Sequence, residues 1–315
     1  MVEPISITGI GHYLPARLLS NADLPPLDKP CPPEVLDRIG VTHRGWADDE
    51  ETIPEMAARA ARRALASADC RPEDLDFIVL ANWTQRRFLP DFAPKLQALL
   101  GAPQAFAFDV STSCSGFVFG VAIASGFLQQ PRFSKGLVVA SETTSKRARP
   151  NSKATLVFGD AAGAFVLERG AKPGSARLLD YELMTDGKYY EAMEINDLGH
   201  VVTNIHQKDL QALAIKSFAV ASQRVLDRQG MTLDDVTWVV PHSGTAGIQA
   251  LLLRTLEIPP ERVLVNFPRI GNVSSAAIPA ALTEFVDNGT IKPGDIVLSP
   301  TTGSGWYAAA MLYQL

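Results

Sequence analysis

Cys114, His242 and Asn272 are the residues whose types and positions could carry chemistry, because each closes or opens an otherwise apolar stretch. Cys114 lies in Phe106-Ala-Phe-Asp-Val-Ser-Thr-Ser-Cys-Ser-Gly-Phe-Val-Phe-Gly-Val-Ala-Ile-Ala-Ser-Gly-Phe-Leu-Gln129. The apolar run Ala105–Val110 meets a knot of hydroxyl residues, and an apolar segment too long for a strand follows. The cysteine therefore falls at or next to the N-terminus of a buried helix, where free N–H groups and the helix dipole favour a thiolate. That marks a candidate nucleophile. A core cysteine is the alternative, since free Cys is among the most buried residue types. His242 follows the apolar run Thr237–Val240, a strand end of the kind that commonly presents reactive groups. Asn272 opens Gly271-Asn-Val-Ser-Ser-Ala-Ala-Ile-Pro-Ala-Ala-Leu282. A thiol, an imidazole and an amide so placed make a candidate reaction centre.

The surrounding pattern supplies elements to hold them. Strands are expected at Ile5–Ile10, Asp76–Ala81, Ala105–Val110 and Gly136–Ser141, with another after the glycine turn Phe158–Gly163. Helices are expected near Glu34–Arg38, over Pro54–Ala68 and over Asp91–Leu100. This alternation predicts an α/β fold with parallel sheets. The second half repeats the first: Arg63, Leu65 and Phe77 align with Arg224, Leu226 and Trp238 at an offset of 161 (224 − 63). Phe127, Gly136 and Ser141 align with Phe285, Gly294 and Ser299 at 158 (285 − 127). The second offset places Asn272 at the corner equivalent to Cys114. Two duplicated halves are the expected organisation, 1–170 carrying the cysteine and 171–315 the histidine and asparagine.

Composition excludes several classes. A net charge of −5 argues against nucleic-acid binding, which calls for a basic face. The three cysteines lack CxxC spacing, which points to a reducing compartment and no structural zinc. His12, His43, His200 and His206 read as surface or structural histidines without metal-ligand spacing. Glu3 and the lack of a basic n-region speak against a signal peptide. The longest apolar stretch, broken by Ser and Gly, falls short of a bilayer span. A cytoplasmic protein is expected.

With these residues in view, the chain resembles the β-ketoacyl-acyl-carrier-protein synthase III family of the thiolase-like fold. The resemblance rests on Gly40-Val-Thr-His-Arg44 with Glu51-Thr52, Thr112-Ser-Cys-Ser-Gly116, Gly159-Asp-Ala-Ala-Gly163 and Pro241-His242. Gly271-Asn-Val-Ser-Ser-Ala-Ala-Ile-Pro279 and Gly303-Ser-Gly305 complete it. It implies a layered αβαβα architecture, a homodimer, and no tightly bound cofactor. It also implies a two-stage condensation. An acyl group passes from coenzyme A or acyl-carrier protein to Cys114, and the enolate of a decarboxylated malonyl thioester then attacks it. His242 and Asn272 would donate to the enolate oxygen. Backbone N–H groups of Cys114 and Ser304 would form the second oxyanion hole, with Gly303 and Gly305 beside the substrate.

The chain departs from the family where coenzyme A binds. Glu34 stands where the family pattern has a tryptophan four residues before Arg38, and Arg38 is retained. The pattern His-Gln-Ala-Asn-x-Arg becomes His242-Ser-Gly-Thr-Ala-Gly247, without its arginine, and Lys153 offers only a point charge near the adenine-flanking position. A carrier-protein-tethered or unusual acyl donor, in specialised fatty-acid or polyketide biosynthesis, is therefore expected. In Gln85-Arg-Arg-Phe-Leu-Pro90, Leu89 takes the tip position that in the family dimer reaches the partner's acyl pocket. Arg86, Arg87, Lys208, Lys216 and Arg254 are surface charges or a patch for an acidic carrier. An acyltransferase passing the Cys114-bound group to a hydroxyl or amine, with His242 as base, is the alternative enzyme. A scaffold subunit is the non-enzymatic one.

Overall fold

The computed structural model describes residues 3–87, 89–242 and 244–315; Phe88 of the Leu89 loop and Ser243 of the His242 motif lie outside the described residues. The main strands are β1 (Ile5–Tyr13), β2 (Phe77–Ala81), β3 (Phe106–Val110), β4 (Lys135–Thr143), β5 (Asp160–Arg169), β6 (Ala176–Thr185), β7 (Trp238–Val239), β8 (Ile296–Gly303) and β9 (Tyr307–Gln314). They hydrogen-bond in the order β7-β8-β9-β6-β1-β5-β4-β2-β3. Read outward from the centre, β1-β5-β4-β2-β3 is matched by β6-β9-β8-β7 and a parallel bridge from Val239 to Val263. Within the sheet, among the described residues, the two runs of strands join through Ile5–Ile7 against Ala176–Leu178.

The expectation of parallel sheets is corrected. Among the described strands of this sheet, the β2–β3, β2–β4 and β7–β8 pairs are parallel, and β4–β5, β1–β5, β1–β6, β8–β9 and β6–β9 run antiparallel. The physical reason is connectivity, since β4 enters β5, and β8 enters β9, without a crossover helix.

Helices α2 (Ile53–Ser67) and α3 (Ala93–Leu100) cover one outer face, and α5 (Gln207–Gln229) and α6 (Ala246–Leu256) lie on the other side. Between the half-sheets lie α4 (Gly116–Leu128) and α7 (Ala277–Asp287), whose Val118, Val121, Ala124, Ala280 and Leu282 share one core with Val79, Val138 and Met311. A helix apolar all round requires such a buried central layer. The short α1 (Pro33–Ile39) sits at the edge, stopped by Gly40 at φ 69°.

The strand register corrects the second repeat offset. Phe77 pairs with Gly136 and Trp238 with Val297, so the halves keep 161 residues (297 − 136) there as well. Valine- and leucine-rich strands match at many shifts, and the Gly136–Gly294 alignment was out by three. Ser113 (φ 50°) and Ser274 (φ 54°) occupy the same left-handed turn of the two corners, again at 161. The equivalent of Cys114 is therefore Ser275, not Asn272.

Under the corners lies Arg44, fully buried. It donates to Leu19 O (3.3 Å), Leu156 O (3.2 Å) and Asn21 Oδ1, and burial lowers its pKa to about 10. A Cβ added at Gly159 or Gly271 would lie 3.1 or 3.0 Å from its Cβ, so it packs tightly under both turns. Arg44→Ala strands three acceptors and opens a void; we expect a loss of about 3 kcal/mol or more in unfolding free energy, read by denaturant titration.

Candidate functional site

Cys114, His242 and Asn272 line one cavity of about 620 Å³, together with Gly303, Ser304, Arg38 and Lys153. Each arrives from a different element. Cys114 sits in the turn Ser113–Ser115 that leads directly into α4. His242 follows β7 and is held by its backbone N–H on Pro300 O of β8 at 3.0 Å. Asn272 is locked by its backbone, donating to Val157 O (2.8 Å) and accepting from Gly159 N (3.1 Å) and Thr144 Oγ1 (2.8 Å). The cysteine thus comes from the corner between β3 and α4, and the imidazole and amide from the corners after β7 and before α7.

The amide has a defined orientation. The Ser274 N–H donates to Asn272 Oδ1 at 3.0 Å, which leaves Nδ2 on the opposite side as a donor. A methyl on Gly244 would lie 2.6 Å from that Nδ2, so only glycine, here at φ 68°, fits beside it. On the other wall, Gly303 presses against the Cys114 turn; an added Cβ would sit 3.0 Å from Cys114 N. The Ser304 hydroxyl donates to Met193 O, so the serine side chain is tied to the cavity rim.

The electrostatics separate the three groups. Burial lowers the His242 pKa to about 4, so the imidazole is neutral at physiological pH. Among the described residues its Nδ1 has no hydrogen-bond partner. The Cys114 thiol is pushed up to about 12 by burial, with a Ser274 hydroxyl at 3.2 Å pulling it down and the Glu142 charge adding to the rise. The expectation that the helix end lowers this thiol is corrected: burial takes the sulfur out of water and raises it overall. Glu142, on β4 behind the site, accepts from Thr84 Oγ1 (2.8 Å), Ser275 Oγ and the Trp83 and Thr84 N–H groups, and burial raises it to about 7.

His242 gives a pH dependence with a defined sign. The unfolded imidazole binds a proton near its ordinary 6.5 and the folded one only near 4, so stability is full above 6.5 and falls as pH drops through that window. Glu142 and Asp160, raised by burial to about 7 and about 6, act oppositely, their contribution being lost as pH rises through those values. His242→Gln should cancel about 2 kcal/mol of the stability lost between pH 7 and pH 5, read as the difference between denaturant titrations at the two values.

The other residues around the site, expected or not, are placed as follows. Gly305 lies on an adjoining cavity of about 580 Å³ that shares Trp83, Met193 and Ser304 with the first. Leu89 is 88% exposed and lines neither cavity, so one chain alone does not bring it to the site. Asp160 holds backbone N–H groups of Ala47 and Ser145, both at 2.9 Å, as a turn under the site should. Trp306 walls the cavity and donates to Ser217 Oγ at 3.0 Å. Sequence reasoning missed Ser274, Trp83 and Glu142. Ser274 stands two residues after Asn272, Trp83 two residues after the expected strand Asp76–Ala81 and Glu142 directly after the expected strand Gly136–Ser141, which was the available signal.

Residues 108–187 match the family described as 3-oxoacyl-[acyl-carrier-protein] synthase III, and residues 226–315 match its C-terminal part. The chain is 36% identical over 316 residues to a beta-ketoacyl-[acyl-carrier-protein] synthase III of Rhodospirillum centenum, covering 98% of each. The crystal structure of 3-oxoacyl-[acyl-carrier-protein] synthase III from Aquifex aeolicus superposes with a TM-score of 0.92 at 34% identity, over 99% of this chain and 100% of that one. The priming beta-ketosynthase of the R1128 polyketide pathway gives 0.89 at 27% identity, over 99% and 96%.

Proposed function

The chain belongs to the 3-oxoacyl-[acyl-carrier-protein] synthase III family of condensing enzymes, and from there we propose how its own residues divide the reaction. Cys114 takes the acyl group from a thioester donor. A malonyl thioester then loses CO₂ in the same cavity, and its enolate carbon attacks the acyl carbon. Asn272 Nδ2 and the neutral His242 ring donate to the enolate oxygen as charge develops. The N–H groups of Cys114 and Ser304 hold the oxyanion of each tetrahedral adduct.

The observation that carries this reading is the orientation of Asn272. With Oδ1 occupied by Ser274 N–H, the amide offers a donor in the cavity that also holds Cys114 and His242. An imidazole held near 4 is a weak general base at neutral pH, which disfavours transfer to a hydroxyl or amine. Incubation with an acyl thioester and malonyl thioester tests the reading: CO₂ and a product two carbons longer support it, whereas an ester or amide product without CO₂ overturns it.

We place the donor among carrier-protein-tethered or unusual acyl thioesters rather than acetyl-CoA, in specialised fatty-acid or polyketide synthesis. Arg38 and Lys153 are the cations lining the cavity, and Arg38 directs its Nε to Glu34 O at 3.3 Å. No resident cofactor is needed for these steps. A carrier protein, being acidic, would find exposed Arg86, Arg87, Lys208, Lys216 and Arg254 on this chain. We further place the boundary of the halves at 170/171. The cytoplasm is the compartment, and a homodimer the assembly: edge strand β3 leaves Phe106 41% exposed, stacked at 6.2 Å on Phe108. Among the described residues no helix is long and apolar enough to cross a membrane.

A further inference from the structure

We propose that Trp83 and Ser274 form a hydrogen-bond relay that keeps a dedicated donor on the sulfur of Cys114. Trp83 follows β2 and lines the cavity, and its Nε1–H donates to Ser274 Oγ at 2.6 Å. The Ser274 hydroxyl in turn lies 3.2 Å from Cys114 Sγ. An indole N–H can only donate, so the Ser274 oxygen must accept there and its single proton is left for the sulfur. Without the indole the hydroxyl could turn and accept from the thiol instead, which would favour the neutral form. The tryptophan therefore fixes the polarity of the contact.

The relay is held firmly. Ser274 is 1% exposed, sits at φ 54°, and is pinned by its N–H on Asn272 Oδ1. Trp83 is anchored by its own N–H on Glu142 Oε2 at 3.3 Å. A non-glycine residue in the left-handed region costs on the order of 1 kcal/mol and persists where the surroundings over-determine it. One residue thus serves both reacting groups: its hydroxyl faces the nucleophile and its backbone aims the amide.

The inference rests on Cys114 being the nucleophile. In the acylation step the S–H proton leaves with the departing thiol, a new C–S bond forms at Cys114, and the donor's C–S bond breaks. Ser274 stabilises the sulfur while it carries negative charge. The acylated sulfur is a poor acceptor, so the same contact weakens once the thioester has formed. Ser274 is in this sense a catalytic residue and Trp83 a positioning residue.

The test is the pH profile of Cys114 alkylation by iodoacetamide, site-resolved by mass spectrometry. Ser274→Ala should shift the profile upward by about one pH unit and slow alkylation at pH 7 about tenfold. Trp83→Phe keeps an aromatic ring at the position, removes the N–H with the pyrrole half of the indole, and should slow it about threefold in the same direction. Profiles of both variants within twofold of the parent, with unchanged thermal midpoints, overturn the relay. Should Ser274→Ala fail to fold, Trp83→Phe decides alone. A parent protein that alkylates at Cys114 but never acquires an acyl group there refutes the proposed function while the relay is still judged by the profile.

Discussion

Cys114→Ala should lower condensation by about 10⁴ or more and leave no acyl group on the protein. The loss is large because the variant has no atom to hold the intermediate, and the remaining donors act only on a species that no longer forms. Other thiols cannot substitute. Cys70 is buried with its thiol raised by desolvation, and Cys31 precedes α1 and packs in a separate cluster with Leu24, Leu27 and Val35. Cys31→Ser should stay within twofold of the parent. Turnover in Cys114→Ala above about one hundredth of the parent rate would mean that the acyl group travels by another route.

Asn272→Ala should divide the reaction in two. Acylation of Cys114 proceeds, because the backbone of residue 272, which ties Val157, Gly159 and Thr144 together, is untouched. Decarboxylative condensation falls by about 10²–10³, the usual cost of one lost oxyanion donor. His242→Ala should fall in the same range, with the acyl-enzyme accumulating in both. An Asn272→Ala protein that condenses at the parent rate would remove the amide from the mechanism, and one that fails to acylate would place it in the first stage.

Much of this was legible in the sequence, for local reasons. Apolar runs bounded by Gly and Pro gave β2, β4 and α2 to within a residue or two. The three candidate residues were visible because each is a polar group at the end of an apolar element, and they do share a cavity. What escaped depended on contacts across the chain. The strand directions hinge on which connections carry a helix, and the 158 offset was a coincidence between similar strands that only register could expose. The Trp83–Ser274 bond joins residues 191 apart in sequence and leaves no local trace. The raised thiol was missed for a different reason: a helix end was weighed, and the desolvation of its pocket was not.

Intact-protein mass spectrometry in two steps is the most direct test of the central claim, with peptide mapping to locate the modification. Mixing the protein with acyl thioesters should add one acyl mass at Cys114, and adding malonyl-carrier protein should discharge that mass as a two-carbon-longer product in step with CO₂ release. An acyl group found at a different residue, or one that malonyl thioester leaves in place, would contradict the account.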